Sequence, residues 1–123
     1  MEIKEGGCHC GKVKFKVKGT FDKGVYCNCS ICNKKGFIHH FATKEEFTLL
    51  TSWDDIGVYE FNTKTAKHLF CKHCGISSFY VPRSHPDGYS INMRCLDDLD
   101  LSKLEIENFD GSNWEDNINS LIP

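Results

Sequence analysis

Between residues 12 and 18 charged and apolar side chains alternate without a break, Lys-Val-Lys-Phe-Lys-Val-Lys, and Gly19 ends the run. A period of two puts Val13, Phe15 and Val17 on one face and four lysines on the other, which predicts a half-buried strand. Shorter runs rich in β-branched and aromatic residues predict further strands at 25–27, 37–42, 47–51, 58–61, 68–71, 78–81, 89–94 and 104–109. In the run at 89–94, Tyr89, Ile91 and Met93 share one face and Ser90, Asn92 and Arg94 the other. Helical signals are two and short. Thr43-Lys44-Glu45-Glu46 and Ser112-Asn113-Trp114-Glu115 each fit a capping box. The first predicts a single turn; the second predicts a short C-terminal helix covering the sheet with Trp114 and Ile118. The Pro-bearing stretch 82–88 reads as a structured turn. The pattern predicts a mainly β chain of short antiparallel strands, folded as one small domain over 1–123.

Composition narrows this. With 123 residues, 40% hydrophobic and 26% charged, the chain has room for one core and is neither a fibre nor a disordered tail. No apolar run approaches the roughly 20 residues that cross a bilayer, so no membrane partner is expected. The first six residues, Met-Glu-Ile-Lys-Glu-Gly, lack an apolar export signal, which predicts a cytoplasmic protein. Against that background the eight cysteines read as metal ligands rather than as a disulfide framework. Charge separates along the chain: residues 1–72 hold twelve lysines against eight acids, and residues 73–123 hold three bases against nine acids. The net charge of −2, made more negative by metal-bound thiolates, argues against nucleic acid as a partner despite the basic N-terminal half.

The cysteines fall in groups: Cys8-His9-Cys10, Cys27-Asn28-Cys29-Ser30-Ile31-Cys32, Cys71-Lys72-His73-Cys74, and Cys95 alone. Thiols this close in sequence bridge each other poorly but suit two ligands on one tetrahedral ion. Zinc fits thiolate-only sites in a reducing compartment. Cys71-x-x-Cys74-Gly75 and Cys8-x-Cys10-Gly11 are natural halves of one structural site, because a glycine after the second cysteine lets the backbone turn around the metal. Cys27, Cys29 and Cys32 then form a three-thiol claw with a second zinc. Its fourth position is either open, as in a catalytic site, or closed by Cys95 or a histidine.

These residues carry a resemblance. Gly7-Cys8-His9-Cys10-Gly11-x-Val13-x-Phe15, Cys27-x-Cys29-Ser30-x-Cys32-x-Lys34 and Phe70-Cys71-x-x-Cys74-Gly75 resemble the glutathione-dependent formaldehyde-activating enzyme family. Tyr59-x-Phe61-Asn62-Thr63, Cys95-Leu96-Asp97 and Phe109-Asp110-Gly111-Ser112-Asn113-Trp114-Glu115 look like its centromere protein V branch. The resemblance runs from about Gly7 to Glu115. It implies an Mss4-like β fold, a structural zinc on Cys8, Cys10, Cys71 and Cys74, and a catalytic zinc on Cys27, Cys29 and Cys32. The reaction it implies joins glutathione and formaldehyde as S-hydroxymethylglutathione, or cleaves that adduct as a carbon–sulfur lyase.

Glutathione carries carboxylates that call for cations. Lys34 and Lys35 follow the claw directly, and Arg83 sits in a strand-exit loop; Lys34 and Arg83 are the candidates for these contacts. His39 and His40 project to opposite faces of their strand, so at most one faces the claw. His68 and His73 flank the structural pair and are candidates to hydrogen-bond its sulfurs, while His9 is expected to point to water. The alternative to the lyase is a non-catalytic zinc-stapled module binding a protein or cytoskeletal partner, with the lysine face of 12–18 as its polyanion-facing surface.

Overall fold

The computed structural model describes residues 1–60 and 66–110. Residues 14–19 form the alternating strand, β2 (Lys14–Gly19), and its burial follows the sequence pattern: Phe15, Val17 and Gly19 face inward and the lysines face water. It pairs antiparallel on one side with β1 (Glu2–Gly7), which the sequence pattern did not predict, and on the other with β5 (Phe47–Leu49). β1 escapes a local reading because its side chains are mostly exposed, leaving no apolar alternation to detect.

A second sheet has five strands in the order β10-β3-β4-β9-β8, formed by β3 (Lys23–Cys27), β4 (Ile38–Thr43), β8 (Phe79–Tyr80), β9 (Gly88–Asn92) and β10 (Glu105–Phe109). All its pairings are antiparallel except β10 with β3, which is parallel. A ribbon of β6 (Ile56–Tyr59) and β7 (His68–Cys71) completes the architecture. The fold class is the expected one, mainly β and Mss4-like. The predicted turn at Thr43 is present as a reciprocal capping box, with the Thr43 N–H donating to Glu46 Oε1 at 2.9 Å and the Glu46 N–H to Thr43 Oγ1 at 3.3 Å. The second capping box, the helix expected after it, and most of the Tyr59-x-Phe61-Asn62-Thr63 motif lie outside the described residues.

The three-stranded sheet packs its inward residues against one face of the five-stranded sheet. Phe15, Phe47 and Phe79 meet there with ring centroids 4.6–5.7 Å apart. Phe15 and Phe79 are almost wholly buried, as are Ile91 and Met93. Each such side chain contributes about 1.5–3 kcal/mol by leaving water, and the ring pairs add about 0.5–1.5 kcal/mol each. The opposite face of the same sheet is different. By the alternation of β4 and β9 it carries Phe37, His39, Ser90 and Asn92, all buried. Tyr80, opposite Ser90 in register, joins them. Both faces of β9 are therefore covered, and the polar one lies beside the claw.

Candidate metal centre

Each cysteine group sits where the chain reverses. Cys8 and Cys10 lie in the connection from β1 to β2, and Gly11 takes the left-handed backbone, φ +84°, that the reversal requires. Cys71 ends β7, and Gly75 does the same for the second pair at φ +80°, its N–H donating to the Cys71 carbonyl at 2.9 Å. The four sulfurs of Cys8, Cys10, Cys71 and Cys74 lie within 4.8 Å of one another. Cys8 to Cys10 and Cys10 to Cys71 are both 3.6 Å. Sulfurs held about 2.3 Å from one tetrahedral ion stand about 3.8 Å apart, so this set fits a four-thiolate zinc. Backbone N–H groups of Val13 and His73 point at the Cys8 and Cys71 sulfurs, at 3.3 and 3.4 Å, as donors to thiolates.

The claw is built differently. β3 delivers Cys27, and a helix that the sequence pattern did not predict, α1 (Ser30–Lys35), delivers the rest. Cys29 is its N-cap: the sulfur accepts the Cys32 N–H at 3.4 Å, in the place where a serine or aspartate oxygen ordinarily stands. Gly36 closes it at φ +66°. That glycine after Lys34-Lys35 was the available sequence signal; the thiol cap hid the other end. The sulfurs of Cys27, Cys29 and Cys32 lie within 4.8 Å of one another, and no fourth Cys, His, Asp or Glu among the described residues joins the group. Cys29, hydrogen-bonded by Cys27 and then Cys32, is held far below the ordinary thiol range, down to about 2. Cys27 is pushed up by its bond to Cys29, and Cys32 by its bonds to Cys27 and Cys29. Three thiols that close, one of them already a thiolate, suit a soft cation.

Cys95 belongs elsewhere in the molecule. It is not part of the claw; burial, followed by the charges of Cys8 and Cys74, raises it to about 11, which puts its electrostatic neighbours in the four-thiol group.

Behind the claw is a buried polar chain. Tyr80 is held protonated well above its usual range by burial, and by the charge and hydrogen bonding of Cys32. Its hydroxyl is 3.3 Å from His39 Nδ1, which is 2.8 Å from Ser90 Oγ. His39 Nε2 is buried with no hydrogen-bond partner among the described residues. His39 is thus the histidine on the claw's side of the sheet, while His40 packs on Phe21 on the other, 4.7 Å between ring centroids.

Two clefts flank α1. One, about 400 Å³, is lined by Cys27, Cys32, the amides of Asn28, Asn33 and Asn108, and Asp110. The other, about 380 Å³, has walls from Ile31, Phe37, Leu69 and Phe70, with Lys35, His68 and Ser77 as polar groups. Lys34, the expected contact, is exposed on the helix; the cation in the cleft is Lys35. Arg83 is half-buried in the 82–88 loop and lines neither cleft. His68 also differs from expectation. It stacks on Tyr80 at 5.0 Å and lies 3.5 Å from Lys35 Nζ, on the claw's side. His73 serves the structural group through its backbone; its ring bonds Asp55 at 2.8 Å. His9 is exposed, as expected.

The profile of the glutathione-dependent formaldehyde-activating enzyme family matches residues 3–112. Among solved structures, a crystallised protein of Rhodobacter sphaeroides is similar to this chain, with a TM-score of 0.77 at 33% identity. The match covers 85% of this chain and 98% of that one.

Proposed function

We propose that this chain, which belongs to the glutathione-dependent formaldehyde-activating enzyme family, is a carbon–sulfur lyase-type enzyme acting on a glutathione–aldehyde adduct. The whole of 1–123 acts as one domain, nearest the centromere protein V branch on the Cys95-Leu96-Asp97 motif. The observation that carries the reading is the three-sulfur claw on the wall of a cleft, lacking a fourth protein ligand among the described residues.

Cys27, Cys29 and Cys32 would hold one zinc, and Cys8, Cys10, Cys71 and Cys74 another. Bound by three thiolates, zinc would supply Lewis acidity that lowers the pKa of a thiol. The reaction is addition of the glutathione thiol to an aldehyde: the sulfur bonds the carbonyl carbon as the C=O π bond opens, the proton given up by the thiol ends on the oxygen, and cleavage is the reverse. The chain's own residues shape the setting. Tyr80, kept neutral by burial, steadies the Cys32 sulfur by a hydrogen bond and is itself aligned by His39 and Ser90. The rings of Phe37 and Tyr80 keep water from the back of the site.

The described helices include none long and apolar enough to cross a membrane. Seven of the eight cysteines group as metal ligands rather than pairing as disulfides, which supports a reducing compartment such as the cytoplasm. The binding-module reading rests on the exposed lysines of β2, but Glu5 of β1 stands opposite Lys16 and breaks up the basic face.

The test is a titration of glutathione into wild type and Cys29→Ser, with melting curves for both and S-hydroxymethylglutathione formation compared with buffer alone. The expected result is binding and acceleration in wild type, both lost in a variant that stays folded. A wild type that ignores glutathione, with a Cys29→Ser variant that collapses, would make the claw a structural staple.

A further inference from the structure

Lys35 is an unusual lysine. Its ammonium is drawn in among side chains, 5.7 Å from the Phe37 ring centroid and 5.3 Å from that of Tyr80. Its hydrogen-bond partners are neutral and distant: His68 Nδ1 at 3.5 Å and Ser77 Oγ at 3.4 Å. Ser77 already donates to the Leu69 carbonyl at 2.7 Å, and burial keeps His68 uncharged, its basicity lowered to about 4. The ion pairs among the described residues join Lys4 to Glu2 and His73 to Asp55; none reaches Lys35. Lysines are seldom withdrawn from water without an acid to pair with, because the desolvated charge is costly. The claw's sulfurs act on the ammonium only through space, and an anion in hydrogen-bond contact has a place to come from, since Lys35 faces the 380 Å³ cleft.

We propose that Lys35 anchors a ligand carboxylate, and that the part of glutathione it takes is the glycyl end. This rests on the reading that glutathione's sulfur goes to the claw. The choice of end follows from charge. The γ-glutamyl end brings an ammonium beside its carboxylate, and among the described residues this cleft has no Asp or Glu in its lining to receive one. Lys35 would repel it. The glycyl end carries a carboxylate and no ammonium, which matches one cation between apolar walls. The neighbouring cleft has the opposite character, with three amides and Asp110. Distance is favourable too: Lys35 lies three residues after Cys32 on α1, which makes the two neighbours on one helix face.

The experiment titrates the zinc-loaded wild type, Lys35→Gln and Lys35→Arg with glutathione and with its glycyl monoethyl ester, which keeps the thiol and the γ-glutamyl end. A charge-assisted hydrogen bond lost without replacement predicts about tenfold weaker glutathione binding by Lys35→Gln. Lys35→Arg should stay within about threefold of wild type. The ester should bind wild type about tenfold more weakly than glutathione does, and lose nothing further in Lys35→Gln. Glutathione binding unchanged in Lys35→Gln, or an ester that binds wild type as well as glutathione, would overturn the assignment. The ester arm on wild type needs no variant to fold. Should wild type not bind glutathione at all, the claw reading fails, and phenylacetate, a carboxylate on an apolar body with no thiol, still decides about Lys35. Backbone amide shifts at Ile31 and Ser77 that vanish in Lys35→Gln uphold the anchor; their absence in wild type overturns it.

Discussion

His39 and His40 are sequence neighbours on opposite faces of β4, an alternation that the sequence alone makes legible. Which of them faces the claw is not legible there, because it depends on β3 and β9 lying on either side. His39 is 3% exposed, and burial lowers its pKa from the ordinary 6.5 to about 4, against the pull of Cys29. As pH falls below about 6.5 the unfolded chain takes up a proton that the folded one refuses. The contribution of neutral His39 is thus complete above that value and drains away between about 6.5 and 4. The His39 ring signals followed by NMR should show no protonation between pH 7.5 and 5.5; a midpoint near 6.5 would show an open, solvated ring. Glycines offer a second contrast. A Cβ on Gly6 would run into the backbone oxygen of Cys95, so Gly6→Ala should cost about 2–3 kcal/mol and lower Tm by many degrees. Gly36 has a left-handed φ but open space around it, and Gly36→Ala should cost only about 1 kcal/mol. Thermal melts of the two variants check the order.

At the level of elements, local periodicity carried β2 and failed at α1. Seven positions of strict alternation leave β2 one way to lie against a core. In α1, six residues capped by a sulfur carry too few apolar positions to show a helical period. The metal groups were legible because ligand spacing is itself a local pattern, whereas Lys35's role arises from β7 and the Ser77 segment meeting it from 33 and 42 residues away. The two cysteine groups also differ in what they close. The four-thiol group joins segments 61 residues apart, and the claw spans five. By loop-closure entropy alone the longer link is worth about 2 kcal/mol more. It also ties the β6–β7 ribbon, too small to stand alone, to the turn after β1. Cys71→Ser should therefore yield insoluble or molten protein, while Cys29→Ser should melt within a few degrees of wild type, as circular dichroism would register. A Cys71→Ser variant that melts like wild type would contradict this division.

For the molecule as a whole, two ions of unequal lability are expected. A mild chelator should remove the claw's metal and leave about one equivalent by metal analysis, since four thiolates close one site and three leave the other accessible. Two equally resistant ions would mean that both sites are closed. One pairing could not have been read from local sequence: β10 beside β3, parallel, with the Asn28 N–H donating to the Phe109 carbonyl at 3.3 Å just where the claw begins. This gives the protein a schedule as well as a shape. A ribosome delivers the chain from its N-terminus, so the claw's cysteines emerge early, on a strand whose outer edge has nothing to pair with until residues 105–109 follow. Through most of synthesis the nascent chain presents the claw's thiols beside an unpaired edge, and β10, the last of the described strands, closes that edge.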